Sequence, residues 1–466
     1  MKKIISLLVL LVCAFAFIGC KEKEPAKEKD NVLYPEDMEW TILEAKHEKP
    51  VEIKMWIPNS ATSSMGASIG KLAELYNNFQ ATTYPGKNIS VVVEYQGGSN
   101  ALNTKLQAAI LAKNNPVISA VGVSSVPLYE SKAIDLRTVF TYDEIRGLNQ
   151  GLLQYSLYNG KFMLNPYFPS ASNILVVNKT LVEKSGFTLP TPESIINKPE
   201  ESNWTWSEFL KIAKGVTKID ANNDENSVYG FATSSVDPIG MMFQQNGRLY
   251  NDNITDIEFD KNDKIKTGLA FWKSLVTENA MRNPNSRANH GSIITSEFYT
   301  GKVGMIFTTS SNLKTMTEKA KEGNFEIEVL PFPKKEVFFT NQGGSGIIIL
   351  DNKPIEEQEA AADFLRWLTQ PAQVAYMCSQ TGYLPVNSKA VNEAALEDVY
   401  EKTPMMKTAG EYMKFGIRSP QGKAKTAVDK KVNEYAKQIW SEPNKSIDDI
   451  VKELISEAKY EIEANK

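Results

Sequence analysis

Hydrophobic and polar positions along residues 51–123 form patterns that predict alternating strands and helices. VEIKMWI (51–57) and ISVVVEY (89–95) have the alternating or β-rich apolar positions of strands. SIGKLAELYNNF (68–79) and SNALNTKLQAAIL (99–111) instead carry apolar residues at helical spacing. VISAVGV (117–123) is almost entirely apolar, as is typical of a strand buried on both faces. The order β-α-β-α-β predicts an α/β fold with a doubly wound, mostly parallel sheet.

Such sheets bind ligands beyond the carboxyl ends of their strands. The segments at these ends are QGGSN (96–100) and GVSS (122–125). Residues 170–310 are more helical, and strand character returns in FEIEVLPFP and GGSGIIIL near 325–350. The last hundred residues are predominantly helical. Strand signals that stop and resume predict two lobes that share the chain, with more than one crossing between them.

The N-terminus has the pattern of an export signal. Lys2 and Lys3 precede an apolar run, Ile4 to Ile18, and Cys20 follows a glycine. FIGC resembles a bacterial lipobox, which implies that Cys20 is lipidated; the alternative is an ordinary cleaved signal with an incidental cysteine. The charged stretch after Cys20 has no large apolar residue at first and predicts a disordered tether. We therefore expect a signal peptide over 1–19 and an anchored tether over 20–49.

Charge and cysteine content narrow the range of functions. The chain has 52 basic and 56 acidic residues and a net charge of −4, which argues against nucleic acid as a partner. After Cys13 leaves with the signal and Cys20 is lipidated, only Cys378 remains, so we expect no internal disulfide.

Sequence patterns of catalysis are weak. The chain has two histidines, and His290, the only plausible catalytic one, has no nucleophile motif nearby. There is no phosphate-binding G-x-x-x-x-G-K-[ST] loop and no zinc-ligand spacing. We expect no enzyme activity, cofactor or metal. A glycosidase with a carboxylate pair stays open, because spatial pairing of carboxylates is invisible in a sequence.

An ordered series of motifs resembles the extracellular solute-binding proteins of ABC importers, the family that contains maltose-binding protein. The series comprises NGKFMLNPYFPSASNILVVNK, NWTWSEFLKIAK, YGFA, GKVGMIFTTSSNL, LPFP, GGSGIIIL and QTGYLPVN. It runs through nearly all of the predicted mature chain, and the likeness is greater to the glycerol-3-phosphate-binding branch.

The resemblance implies a type II, two-lobed fold, in which each lobe is a doubly wound mixed sheet flanked by helices. The implied lobes are 50–166 plus 312–368, and 167–311 plus 369–466 with a helical C-terminus. Three hinge crossings are implied near Pro166–Pro169, Thr308–Ser311 and Leu368–Gln373.

The resemblance also implies which residues bind the ligand. Trp206, in the tryptophan motif, either adds an aromatic wall or packs in the core. Where the branch carries a pocket glutamate, this chain has Gly122 with Ser124 nearby, and Lys425 or Arg418 stands for its phosphate-binding arginine. The implied ligand-binding residues are Ser99, Asn100, Ser124, Ser170, Trp206, Ser310, Gly343, Gly344, Ser345, Tyr383 and Arg418.

These departures weaken the case for glycerol-3-phosphate and leave a sugar, a polyol or a phosphate of either as the expected solute. We expect a monomer that closes around the solute, delivers it to membrane permease subunits and stays attached to the membrane by its lipid, facing the periplasm or cell exterior. A surface sensor or adhesin on the same fold is the other alternative to import.

Overall fold

The computed structural model of the protein describes residues 40–153, 155–417 and 420–465. The predicted signal peptide, Cys20, the tether up to residue 39 and Arg418 lie outside these residues. The strands are β1 Val51–Ile57, β2 Ile89–Tyr95, β3 Ile118–Gly122, β4 Leu157–Tyr158, β5 Lys161–Phe162, β6 Asn165–Ser172, β7 Ile174–Asn178, β8 Tyr229–Ala232, β9 Val303–Thr308, β10 Ile327–Pro331 and β11 Asn341–Ile349.

The helices lie between and after these strands. They are α1 Ser64–Thr83, α2 Ser99–Leu111, α3 Tyr142–Gly147, α4 Gln150–Leu153, α5 Lys179–Lys184, α6 Pro192–Asn197, α7 Trp206–Val216, α8 Pro238–Phe243, α9 Lys264–Thr277, α10 His290–Tyr299, α11 Leu313–Glu322, α12 Ile355–Leu368, α13 Pro371–Thr381, α14 Ala394–Lys402, α15 Pro404–Glu411, α16 Lys425–Ser441 and α17 Ile447–Ala464. The α/β class and the predicted alternation over residues 51–123 are confirmed.

The first lobe is built on a five-stranded mixed sheet in the order β2-β1-β3-β11-β6. β1 is parallel to β2 and β3, whereas β11 is antiparallel to both β3 and β6. The alternating residues Ile53, Met55 and Ile57 of β1 are fully or almost fully buried. The α1 residue Tyr76 is buried and donates a hydrogen bond of 2.5 Å to Asp363 of α12, which ties the two helices together.

The second lobe is built on a four-stranded sheet in the order β10-β7-β9-β8. β7 is antiparallel to β10 and β9, and β8 is parallel to β9. Its core is rich in aromatic rings: Trp272 stacks on Phe332 and Phe307 with ring centroids 5.4 and 5.9 Å away. The C-terminal helices α16 and α17 pack on each other and on α9, so the helical C-terminus completes this lobe.

The crossings between the lobes differ in position from those predicted. β6 belongs to the first sheet along its whole length and joins β7 through Asn173 alone, so the first crossing is at Asn173 rather than at Pro166–Pro169. The chain stays in the second lobe after Thr308, because β10 pairs with β7, and it crosses between Pro331 and Asn341. The assignment of 312–331 to the first lobe was therefore wrong.

The third crossing also lies later than Leu368–Gln373. Both α12 and α13 pack on α1 of the first lobe, whereas α15 packs on β10 of the second. The chain therefore crosses between Thr381 and Pro404. These errors share a cause: the partner of a strand or helix is distant in sequence, so local patterns show that an element exists but not which sheet it joins.

The end of the predicted tether, residues 40–49, is folded onto the first lobe. Leu43 donates its backbone N–H to the Thr138 carbonyl at 2.8 Å, and the Arg137 guanidinium lies 4.3 Å from the ring centre of Trp40. His47 stacks on Tyr84 with ring centroids 3.5 Å apart. The tether prediction was therefore wrong for 40–49, because the aromatic residues there find partners that the charge pattern did not reveal.

Candidate functional site

The candidate site lies along one edge of the first sheet. β1, β2 and β3 are parallel, so their carboxyl ends share this edge, and the antiparallel β11 begins there while β6 ends there. The start of α2 with Ser99 and Asn100, Gly122, Ser124, Ser170 and the Gly343–Ser345 stretch therefore lie along the same edge. This is the edge at which open α/β sheets bind ligands.

The second sheet presents a matching edge. β8, β9 and β10 run in one direction, so the segments after Ala232, Thr308 and Pro331 lie together, at the end of the sheet where β7 receives the chain from β6. Ser310 follows β9 at this edge. α16 of the second lobe contacts the 3₁₀ turn Val123–Tyr129 of the first lobe, which contains Ser124. The two polar edges thus border one cleft that the crossings close at one end.

Ser170 and Gly343 form a cross-strand pair at the hinge end of the cleft. A Cβ atom added to Gly343 would lie 3.1 Å from the Ser170 hydroxyl oxygen and 2.1 Å from that of Ser172. A side chain at this position would therefore force the Ser172 hydroxyl to move. Gly344, the next residue, has a φ of +93° and is exposed, and an added Cβ would clash with the Phe168 carbonyl.

Ser310 links the second lobe to the hinge strand. Its side chain is fully buried, and its hydroxyl accepts a hydrogen bond from the backbone N–H of Ala171 at 3.1 Å. Because β6 is the edge strand, this N–H would otherwise lack a strand partner. Ser310 therefore has a structural hydrogen bond already, in addition to whatever it contributes to a ligand.

Tyr383 packs on the same strand from the third crossing. Its ring meets Phe168 edge-on with centroids 5.8 Å apart, and its hydroxyl points at the Met65 sulfur, 3.8 Å away. Burial raises the pKa of Tyr383, so the hydroxyl stays protonated at neutral pH and can donate. The next residue, Leu384, donates its N–H to the Pro169 carbonyl at 2.8 Å, which fixes this segment against β6.

The predicted residues thus form two groups. Ser170, Ser310, Gly343, Gly344 and Tyr383 lie together at the hinge end. Ser345 joins them by pairing with Gly122 on one side and Phe168 on the other. Ser99, Asn100 and Ser124 are exposed farther along the edge, and α2 begins there without a side-chain cap. The first-turn N–H groups of α2 point beyond its N-terminus, where a solute could accept hydrogen bonds from them.

Two predicted residues do not join either group. Trp206 is only 5% exposed, stacks on Phe271 with centroids 4.4 Å apart and donates its indole N–H to Gln244 at 3.1 Å. It is a core residue of the second lobe and no wall of the cleft. Arg418 lies outside the described residues.

Lys425, the other basic residue considered at the cleft, is also buried. Its ammonium group lies 2.7 Å from a carboxylate oxygen of Asp429, which additionally accepts the Tyr250 hydroxyl. The lysine charge is therefore already compensated within the protein.

Sequence reasoning missed Asn173 and Asp237. Asn173, at the first crossing, has a left-handed φ of +59° and donates its side-chain amide to Asp237 at 2.7 Å. Asp237 caps α8 by accepting the Gly240 N–H at 2.9 Å, and burial raises the pKa of its carboxyl group to about 6. The signal was present in SVDP, where an aspartate precedes a proline at a helix start.

The site shows no arrangement for metal chemistry. Within the described ranges, no group of three or more His, Cys, Asp or Glu side chains could hold a metal ion. In the same part of the chain, no helix is both long and apolar enough to cross a membrane.

A cavity of about 930 Å³ lies elsewhere, between α4 of the first lobe and α14 and α15 near the third crossing. Asn149, Leu152, Tyr400 and Met413 are among its lining residues. None of the predicted ligand-binding residues lines it, so its volume does not bear on the sheet-edge site.

Comparison of the sequence with known families and proteins gives a consistent result. The profile of the family described as bacterial extracellular solute-binding protein matches residues 74–408. The chain is also similar to the sn-glycerol-3-phosphate-binding periplasmic proteins UgpB of Shigella dysenteriae serotype 1 (strain Sd197) and Escherichia coli (strain K12). It is 23% identical to each over 384 residues, which cover 78% of this chain and 80% of theirs.

Solved structures share the fold at lower identity. The cyclic alpha-maltosyl-1,6-maltose binding protein from Arthrobacter globiformis is 20% identical with a TM-score of 0.70, covering 89% of this chain and 100% of that one. An ABC substrate-binding protein from Listeria monocytogenes, in complex with cycloalternan, is 18% identical with a TM-score of 0.71, covering 89% and 99%. UgpB from Mycobacterium tuberculosis, in complex with glycerophosphocholine, is 18% identical with a TM-score of 0.67, covering 89% and 98%. The two-lobed fold class predicted from the sequence is confirmed.

Proposed function

The chain belongs to the bacterial extracellular solute-binding proteins, and we propose that it captures a sugar, a polyol or a phosphate of either between its two lobes for an ABC importer. The observation that carries this proposal is the pair of polar sheet edges that share one hinge. Ser170, Gly343 and Gly122 line one edge, and the segment with Ser310 begins at the other.

The chemistry of these edges suits hydroxyl groups. Serine and tyrosine hydroxyls both donate and accept, and first-turn N–H groups of α2 donate, so vicinal hydroxyls can be paired without a charged residue. A buried hydroxyl left unpaired costs about 1–3 kcal/mol. A solute whose hydroxyls all find partners is thereby selected over one that leaves a partner unmatched.

Binding would proceed by hinge closure. An open form offers half of the solute's partners on each lobe, and the solute stabilises the closed form because it bridges both. The role needs no reacting residue, and family members are solute-binding proteins rather than enzymes. The closed protein would then dock on permease subunits in the membrane.

The charge of the solute that the cleft can bind depends on which basic side chains near it are available to pair with a phosphate. Because Asp429 already neutralises Lys425, that lysine offers little to a doubly charged phosphate. As far as Lys425 is concerned, this favours a neutral sugar or polyol; Arg418, the other basic residue considered, lies outside the described residues. Several relatives bind glycerol-3-phosphate or glycerophosphocholine according to their names, so phosphorylated solutes remain in the panel to be tested.

A thermal-shift screen tests the proposal, because a ligand that binds only the folded state raises the unfolding temperature by mass action. The panel is maltose, maltotriose, mannotriose, glycerol, glycerol-3-phosphate and glycerophosphocholine. We expect at least one to stabilise the wild type and to lose its effect in Tyr383→Ala, while Tyr460→Ala, an exposed tyrosine on α17, responds as wild type. A flat screen together with slow release of monosaccharide from the oligosaccharides would favour the glycosidase alternative.

Membrane attachment is a separate proposal. We infer that Cys20 is diacylated and that the segment after it keeps the protein near its permease, which raises its local concentration there. Incorporation of labelled palmitate in a bacterial host tests this inference. We expect label in wild type and none in Cys20→Ala; equal label in both would contradict it.

A further inference from the structure

We propose that Asp237 is a positioning residue of the hinge, whose ionised carboxylate holds Asn173 in its left-handed conformation and thereby makes the hinge sensitive to proton concentration. This inference concerns the movement of the lobes and requires no knowledge of the solute.

Asn173 forms the first crossing between the lobes. It is the single residue between β6 of the first sheet and β7 of the second, so its backbone angles set how one lobe continues into the other. Its φ of +59° lies in the left-handed region, which asparagine tolerates better than most residues but still occupies at a cost. The 2.7 Å bond from its side-chain amide to Asp237 stabilises this conformation further.

Asp237 is partly buried, and both of its carboxylate oxygens are hydrogen-bonded. One oxygen accepts the Gly240 N–H at the start of α8, and the other accepts the Asn173 amide. A Cβ added to Gly240 would lie 2.0 Å from the Asp237 carboxylate and 2.9 Å from the Phe339 ring, so both crowd the same point. Phe339 belongs to the second crossing. Asp237 thus touches the residue of one crossing directly and lies beside a residue of another.

The elements around Asp237 bring few charged groups near its carboxylate. α8 has no charged side chain, and neither has the junction Ser172–Ile174. The connection that carries Phe339 contains Lys334, Lys335 and Glu336, and the described residues include no ion pair or hydrogen bond from any of them to Asp237; Lys334 instead donates to the Pro199 and Glu200 carbonyls. The helices α9 and α16 also pack on α8, and among the described residues none of their charged side chains forms an ion pair or hydrogen bond with Asp237. The hydrogen bonds that the described residues donate to this carboxylate therefore come from neutral N–H groups.

Ionisation of Asp237 changes how strongly Asn173 is held. The bond from Asn173 is charge-assisted when Asp237 is ionised and weaker when it is protonated. If Asn173 moves while α8 stays folded, the partly buried carboxylate stays beside Phe339 and loses one of its two donors. Ionisation therefore favours the held conformation of Asn173, and this preference grows as the pH rises through about 6, the pKa to which burial raises the carboxyl group.

Global stability must change in the opposite direction. A carboxyl group with a raised folded-state pKa contributes most stability below its unfolded pKa and loses that contribution as the pH rises through the folded value. Between pH 5 and 7, the hinge should therefore become better held while the whole protein becomes less stable through this group. A mere cap of α8 would give only the second change.

Hydrogen exchange of the hinge peptides 165–178 and 332–345, corrected for intrinsic rates at each pH, tests the proposal on the protein without solute. We expect protection of residues near Asn173 to rise about three- to tenfold from pH 5 to 7, the change that corresponds to one net hydrogen bond. Asn173→Gly, which keeps the left-handed backbone without strain but lacks the amide, should abolish this rise, and Asp237→Asn should make protection independent of pH.

The matched control is Asn324→Gly, since Asn324 is an exposed asparagine with a similar φ of +55°. It should retain the wild-type rise. A pH-dependent rise that survives in Asn173→Gly, or wild-type protection that is flat or falls with pH, would overturn the proposal. A failure of the solute screen would leave this result unaffected, so the two proposals fail separately.

Discussion

The two ends of the cleft differ in how much of their hydrogen bonding the protein has already completed. At the hinge end, Ser310 is buried and bonded to Ala171, and Gly343 leaves room for two neighbouring hydroxyls. At the far end, Ser99, Asn100 and Ser124 are exposed. Residues at the hinge end therefore serve the fold as well as the proposed site, whereas those at the far end would serve the proposed site alone. Substitutions can separate these roles.

The largest expected effect is at the hinge end, in Gly344→Ala. A residue with a side chain pays about 1–2 kcal/mol for the left-handed backbone, and crowding against the Phe168 carbonyl adds a comparable cost. We expect the free energy of unfolding to fall by about 3 kcal/mol in a urea titration. Gly86→Ala is the control, because Gly86 has a φ of +74° but open space around it. Equal losses in both would show that backbone strain alone matters.

Asp237→Asn should stabilise the protein at neutral pH. Burial raises the pKa of this carboxyl group from 3.8 to about 6, and one pKa unit corresponds to about 1.4 kcal/mol. Asparagine keeps the cap of α8 but loses one acceptor, so we expect a net gain of about 2 kcal/mol at pH 7. The gain should vanish near pH 4. Urea titrations at both pH values measure it, and a gain that is the same at both would contradict the role of ionisation.

Ser310→Ala should cost about 1–2 kcal/mol, because the buried N–H of Ala171 loses its acceptor. This differs from the behaviour of a residue that only binds solute, whose removal would leave stability unchanged. Ser124→Ala, the same substitution at an exposed position, should change the free energy of unfolding by less than about 0.5 kcal/mol. If the two variants unfold alike, the distinction between the ends of the cleft is wrong.

Asn100→Ala should have the smallest effect on stability, within about 0.5 kcal/mol, since the residue is exposed in the first turn of α2. Its effect should appear only with solute, as a smaller thermal shift. Thr104→Ala one turn later on α2 is the control. A normal thermal shift in Asn100→Ala would remove the far end from the proposed site.

The sequence predicted residues 51–123 better than the rest of the described chain. β1 and β2 have the predicted bounds, because their periodicity is local and their parallel partners follow at once. The motif resemblance placed Ser170, Ser310, Gly343 and Tyr383 in segments that the fold brings together. Trp206 and the lobe boundary at 312 could not be decided locally: whether an indole faces a core or a cleft, and which sheet β10 joins, depends on residues far away in the chain.

Asn173 and Asp237 show a different limit. Each has an ordinary local reason to be present, one as a residue that tolerates a left-handed backbone and the other as a helix cap. Their 2.7 Å contact spans 64 positions of sequence and becomes visible only when the start of β7 and the segment after β8 are placed at the same end of the second sheet.

The most direct test of solute capture between the lobes is small-angle X-ray scattering of the protein with and without the compound that raises its unfolding temperature most. Closure around a bridging solute should reduce the radius of gyration, and Tyr383→Ala should show no reduction at the same concentration. Thermal stabilisation by that compound with an unchanged radius of gyration in the wild type would contradict capture by closure.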